Sequence, residues 1–219
     1  FSKNLFDKHE VTLMDFQKFS DGIHFIYILP FSQKIGLIES TYFSTKMYTE
    51  AHYRTDIKKY INKRYGKVNY KMNYCESGRI PMFYTKQEQK FKSLIKIGTT
   101  GNWVRASTGY CFQNSFKNAK DIVNDILKNQ KPRIKFNRIF VILDLIFCEY
   151  IKKYPSDSKF FFMSFFYKNK LRNIVKFLTG TSNLYEVLGL LISLPKIKLL
   201  KVSFKILINK IIWYEINGY

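Results

Sequence analysis

The prevailing hydrophobic pattern of this chain shifts from strand-like to helical near residue 107, and that shift limits the possible folds more than any other feature. Before it, apolar residues come in short runs rich in β-branched and aromatic types: Val11 to Phe16, Ile23 to Leu29 and Ile35 to Thr41. Ser20-Asp21-Gly22 and the stretch from Pro30 to Lys34 separate the runs, so the spacing predicts neighbouring antiparallel strands of one sheet. A helix is predicted from Met47 to Tyr65, with Ile57, Tyr60, Ile61 and Tyr65 on one face and Gly66 at its end. Strands are predicted again at Val68 to Tyr74 and at Leu94 to Ile97. After the change, Phe112, Phe116, Ala119, Ile122, Val123 and Ile126 recur at helical spacing as far as Leu127. Pro132 breaks that helix, Phe136 to Tyr150 reads as a second, and Gly180 and Pro195 subdivide the apolar run from Pro155 to Tyr219. The expected class is α+β, with an antiparallel sheet domain at 1–106 and a helical region at 107–219.

Charge narrows the partners. With 37 Lys+Arg against 16 Asp+Glu the net charge is +21, which attracts nucleic acid or anionic lipid headgroups. Nucleic-acid binders gather arginines and aromatics on one platform. Here the basic residues are mostly dispersed lysines, so a membrane surface is the expected partner and nucleic acid is not. The most apolar stretch, Ile139 to Ile151, carries Asp144 and Glu149 and is too short to span a bilayer. In the tail, Lys198, Lys201, Lys205 and Lys210 alternate with Leu199, Leu200, Val202, Phe204, Ile206, Leu207, Ile211 and Ile212. That pattern fits a basic amphipathic helix in the headgroup layer, or one packed on the core with a solvated lysine face. Cys75, Cys111 and Cys148 lie far apart, and His9, His24 and His52 do not cluster, so no metal site is expected and a reducing cytoplasm fits. The chain begins at Phe1, without a start residue or leader, and is read as a fragment.

Three carboxylates interrupt apolar or turn segments. Glu39, in Leu37-Ile38-Glu39-Ser40-Thr41, sits in a strand on the side of Leu37 and Thr41; burial there would favour its proton-bearing form and suit acid–base work. On the residues alone, an outward-facing strand carboxylate is the favoured reading. Asp15, in Leu13-Met14-Asp15-Phe16, is a similar case, and Glu76 precedes a turn beside Arg79. The segment Ile97 to Tyr110 runs from apolar residues through Gly98, Gly101 and Gly109 to Ser107 and Thr108 at the start of a helix. Glycines allow close backbone approach, and a helix start offers free N–H groups to a phosphate or an anionic flavin ring. The same residues also suit an ordinary capped loop. No GxGxxG or P-loop pattern occurs.

At these residues the sequence resembles the bacterial lycopene cyclases. Leu13-Met14-Asp15-Phe16, Phe25-Ile26-Tyr27-Ile28-Leu29-Pro30-Phe31-Ser32 and Leu37-Ile38-Glu39-Ser40-Thr41-Tyr42-Phe43-Ser44 follow in the order and spacing of that family. Glu76 to Met82, Ile97 to Phe112, Phe160-Phe161-Phe162 through Lys168-Asn169, Phe177-Leu178 and Leu194-Pro195 extend the resemblance over about residues 11 to 200. Thr179-Gly180 depart from it, standing where the family commonly carries an acid.

The resemblance implies a flavoprotein fold like that of the aromatic hydroxylases and geranylgeranyl reductases, whose N-terminal dinucleotide-binding domain is absent from these residues. It implies reduced FAD as cofactor, NAD(P)H as reductant and lycopene as substrate. The expected reaction protonates the terminal double bond and closes a β-ionone ring without net redox change. Glu39 falls where the family's acid/base carboxylate lies, with Asp15 and Glu76 as further catalytic candidates. Gly98, Gly101, Ser107, Thr108 and Gly109 fall at its second flavin contact. The expected location is the cytoplasm, peripheral on the inner face of the membrane. A flavin-dependent reductase or hydroxylase of another isoprenoid, and a non-enzymatic basic lipid- or RNA-binding protein, are the alternatives.

Overall fold

A computed structural model describes residues 1–85, 94–132 and 137–217, with side chains as far as residue 208. Among these residues the fold is α+β, three strands followed by seven α-helices. Strands β1 (Thr12–Gln17), β2 (Gly22–Pro30) and β3 (Gly36–Ser44) form one antiparallel sheet in sequence order, with an irregularity between Thr12 and Asp15. The predicted runs and turns therefore hold. Gly22 turns the chain between β1 and β2 at φ +144°, and a Cβ there would lie 2.0 Å from the Phe43 carbonyl oxygen. Gly22→Ala is accordingly expected to lower stability by about 2 kcal/mol or more, read as a drop in the urea midpoint.

Helix α1 (Glu50–Tyr65) starts at Thr49, whose hydroxyl accepts from the His52 N–H, and stops at Gly66 with φ +73°. Tyr60 and Ile61 are buried, and Ile57 and Tyr65 are half-buried, as their spacing predicts. Tyr60 packs with Phe6, Ile26 and Ile28, and Ile38 closes this cluster. The sheet thus has one helix-covered face. The predicted strands at Val68–Tyr74 and Leu94–Ile97 do not form. Tyr70, Met72 and Tyr74 are exposed, so these residues have strand composition without the neighbouring ladder that makes a strand pay.

The chain divides into two compact units, Phe1–Arg79 with Tyr154–Lys159, and Ile80–Lys153 with Phe160–Tyr219. The division falls at Arg79, ahead of residue 106, because Arg105 and Ser107 are bonded to Asp144 within the second unit. That unit contains α2 (Phe112–Leu127), α3 (Arg138–Lys153), most of α4 (Ser158–Tyr167), α5 (Leu171–Leu178), α6 (Leu184–Ile192) and α7 (Lys196–Asn217). Phe136, the expected start of α3, lies outside the described residues. Gly180 and Pro195 separate the last three helices as expected, and Asn183 and Glu186 make a reciprocal capping box at the start of α6. Helix α7 buries Leu199 and Val202 and exposes Ile197, Leu200, Phe204 and Leu207 beside Lys198, Lys201 and Lys205. Its outer face is mixed, so lysines and apolar groups do not segregate; the side chains of Lys210, Ile211 and Ile212 lie outside the described residues.

Candidate active site

Side chains alternate across a sheet, and the register decides which candidates can act together. Tyr27 pairs with Glu39, Phe25 with Thr41, Ile23 with Phe43 and Phe16 with Phe25. These residues share the face opposite α1. On it, the rings of Phe16 and Phe43 stand edge-on to Phe25 at 6.1 and 5.5 Å, and Tyr27 stands edge-on to Phe25 at 5.0 Å. Glu39 is exposed beside this aromatic row, with Leu37 and Thr41 on its side as alternation requires. Burial of Glu39, one of the two expected environments, is not what the first unit provides. Thr41 Oγ1 donates to Glu39 Oε1 at 2.8 Å and so orients the carboxylate. Burial, reinforced by the Glu39 charge, pushes the Tyr27 phenol up to about 12, so that hydroxyl keeps its proton.

Asp15 pairs with Ile26 and therefore lies on the helix-covered face. It accepts from the Tyr60 hydroxyl at 2.6 Å and from Arg64 Nη1 at 3.2 Å. The structure separates it from Glu39 and ties it to α1, the position of a structural pair. Burial and the hydrogen bond to Asp15 hold the Tyr60 phenol well above its ordinary value. Glu76 is exposed on the irregular segment after α1 and accepts from the Tyr74 hydroxyl. The three carboxylates do not converge.

In the second unit, the Gly98–Gly109 segment is a sequence of tight turns. Gly98 and Gly109 have φ of +59° and +71°, and a Cβ on Gly98 would meet nothing within 4 Å, so its outer side is open. Gly101 is closed on its inner side, where a Cβ would lie 2.4 Å from the Lys96 carbonyl oxygen. Asn102, at φ +57°, accepts from the Thr85 N–H and donates to the Thr85 carbonyl, clamping that strand of chain; asparagine tolerates this backbone. Thr108 accepts from the Tyr110 N–H. Helix α2 then begins at Cys111 with no side-chain cap, leaving its first N–H groups available.

Ser107 has another task. Its hydroxyl donates to Asp144 at 2.7 Å and is buried. Asp144, 1% exposed, also takes a two-pronged contact from Arg105 and a 2.6 Å bond from the Tyr84 hydroxyl. Arg105 is 4% exposed, donates to the Phe177 carbonyl at 3.0 Å, and lies 4.8 Å over the Phe140 ring. This network fastens the glycine turns to α3 and α5. It was not legible beforehand: Asp144 appears in the sequence only as a charge in an apolar helix, 39 residues from Arg105. Cys148 donates to the Ala106 carbonyl nearby, and burial pushes its thiol up to about 12. Iodoacetamide at pH 8 is therefore expected to label exposed Cys75 and spare Cys148 in the native protein, as mapped by peptide mass spectrometry.

A family model described as lycopene cyclase protein matches residues 1–203. The chain belongs to the lycopene cyclase family. Membership assigns it to carotenoid biosynthesis with a carotenoid substrate, and the match covers both the aromatic sheet face and the anchored glycine turns. No curated protein and no solved structure matches the chain. The Thr179-Gly180 departure has a local reason in this lycopene cyclase-family chain: Thr179 caps α5 and Gly180 takes φ +71° just beyond it, next to the Phe177 carbonyl that Arg105 binds. Among the described residues no group of His, Cys, Asp and Glu could hold a metal, and no helix is long and apolar enough to cross a membrane.

Proposed function

We propose that the chain supplies the substrate side of a flavin-dependent lycopene β-cyclase. Glu39 protonates the terminal double bond of lycopene, the neighbouring double bond attacks the resulting cation, and loss of a second proton completes the β-ionone ring. One proton is gained and one lost, so no net redox change occurs. The observation that carries this reading is the sheet face on which Glu39 stands beside Phe16, Phe25, Tyr27 and Phe43. Phe25 is fully buried, and the half-buried Phe16, Tyr27 and Phe43 are the rings that remain in part accessible. Aromatic faces attract a cation, and a polyene laid against them excludes water from the carboxyl, favouring the proton-bearing form. Thr41 holds that carboxyl in one orientation. Tyr27, kept neutral, contributes a ring rather than a competing anion.

The glycine turns suit reduced FAD, with NAD(P)H as reductant. The open side of Gly98, the backbone of Thr108 and Gly109 and the uncapped start of α2 are the groups that would hold the flavin. Ser107 and Gly101 shape the turn from inside instead. When bound at these turns, a reduced flavin would supply negative charge. The GxGxxG fingerprint of such a fold does not occur in this sequence. Contact with the cytoplasmic face of a membrane, where lycopene resides, is supported by the +21 net charge and by exposed Ile197, Leu200 and Phe204 among the lysines of α7.

The family match favours neither an isoprenoid reductase nor a non-enzymatic binder. The test is production of cyclised carotene in lycopene-accumulating bacteria expressing this chain fused to the dinucleotide-binding domain of a related cyclase. A folded fusion that binds flavin and leaves only lycopene would overturn the cyclase reading.

A further inference from the structure

A second recess in the first unit has a different chemistry from the aromatic sheet face. It is a cleft of about 280 Å³ at the β1–β2 turn, near the lower end of the range for small-ligand sites. Its apolar walls include Phe16, Phe19 and Ile23, and the largely buried His24 lines it as well. Lys18 and Lys159 complete the wall, and both are exposed. Among the described residues neither lysine has a carboxylate partner, and no carboxylate lines the cleft. Asp21, the acid of the turn, is committed to Lys46 at 2.5 Å. Asp157 lies between Ser156 and Ser158 of the wall without lining it. His24 is occupied on one side by Ser40, whose Oγ lies 3.0 Å from Nε2, and its ring stacks on Tyr42 at 4.0 Å.

An apolar recess with two uncompensated ammonium groups matches one ligand chemistry. We infer that this cleft binds a small amphiphilic anion, with an apolar chain against Phe16, Phe19 and Ile23 and its phosphate or carboxylate between Lys18 and Lys159. Each half of such a ligand finds what it needs: area removed from water for the chain, and a charge-assisted contact for the head. Lycopene, an uncharged hydrocarbon, would use only the first half. The cleft shares Phe16 and Ile23 with the proposed cyclisation face, but its two lysines and the binding of an anion there do not depend on that reading. His24 serves as a built-in reporter, because burial holds its imidazole below the ordinary value and an anion bound beside it would draw it upward.

The experiment is titration of the protein with decyl phosphate below its micelle concentration, with inorganic phosphate and decanol as half-ligands and with phosphatidylglycerol vesicles in a separate arm. Saturable binding of decyl phosphate, at least tenfold tighter than either half-ligand, is expected, with a shift of the His24 imidazole resonances and of their titration to higher pH. The double variant Lys18→Glu, Lys159→Glu should weaken decyl phosphate at least tenfold without changing the melting temperature. Vesicle binding that decyl phosphate competes away identifies a lipid headgroup as the source; decyl phosphate binding without vesicle binding identifies a free amphiphile. Both outcomes support the site. Equal affinity for decyl phosphate and decanol, binding that ignores the double variant, or vesicle binding alone would overturn it.

Discussion

Replacing Asp144 with alanine is expected to destabilise the helical unit by about 3–5 kcal/mol, the largest effect of any single substitution in this chain. The reason is what remains. Arg105 is 4% exposed and always charged, and Asp144 is its carboxylate partner there. Without it, the Phe177 carbonyl and the Phe140 ring are left to compensate a buried guanidinium. Tyr84 and Ser107 each lose an acceptor at the same stroke. Asp144→Asn should fare little better, since an amide accepts hydrogen bonds but carries no charge. The double variant Arg105→Met, Asp144→Leu removes both charges and should recover most of the loss, because an apolar pair can replace a buried ion pair at small cost. Urea unfolding followed by the fluorescence of buried Trp103 reads all three. A single Asp144→Ala variant as stable as the parent would mean that water reaches Arg105 and that the network does not anchor the turns.

That same network marks where reading the sequence stops. Alternation within β2 and β3 is local, so the faces of Tyr27 and Glu39 could be read from the residues themselves. Gly66 and Gly180 were likewise legible as helix ends, because only the backbone conformation at one residue is at stake. The bonds from Arg105 and Tyr84 to Asp144 join residues 39 and 60 positions apart, and no local pattern announces such a partner. Strand composition misled at Val68–Tyr74 for a related reason: a strand needs a neighbour, and that lies outside its own residues. Helix α2 shows a third limit. Phe112, Phe116, Val123 and Ile126 have the periodicity of a buried face, yet all four are exposed while Asn118 is buried. Period tells that a helix forms and which residues share a face, not which face the second unit covers. Among the site candidates, the strand position of Glu39 was legible in its residues, but the separation of Asp15 and Glu76 from it required the register and the Tyr60 and Tyr74 hydroxyls.

Glu39→Gln is expected to abolish ring formation while leaving the protein intact. The amide has the shape of the acid and keeps an oxygen to accept from Thr41, so the geometry of the face survives. What it loses is a proton that can be delivered to an alkene, and loss of a general acid typically costs 10²- to 10⁴-fold in rate. Because Glu39 is exposed, stability should move by no more than about 0.5 kcal/mol. In the lycopene-accumulating fusion, cyclised carotene should fall at least about a hundredfold, to be replaced by lycopene, at unchanged protein level. Asp15→Asn should do the reverse. Its pair with Arg64 is over a third exposed, so solvent screening limits the loss of stability to about 1 kcal/mol, and cyclisation per folded molecule should persist. Glu76→Gln should change neither quantity. The contrast matters more than any one variant. A catalytic acid is recognised by activity lost without stability, and a structural carboxylate by the opposite. If cyclisation survived in Glu39→Gln and vanished in folded Asp15→Asn, the chemistry would have to move to the helix-covered face, and the aromatic row beside Glu39 would need another explanation.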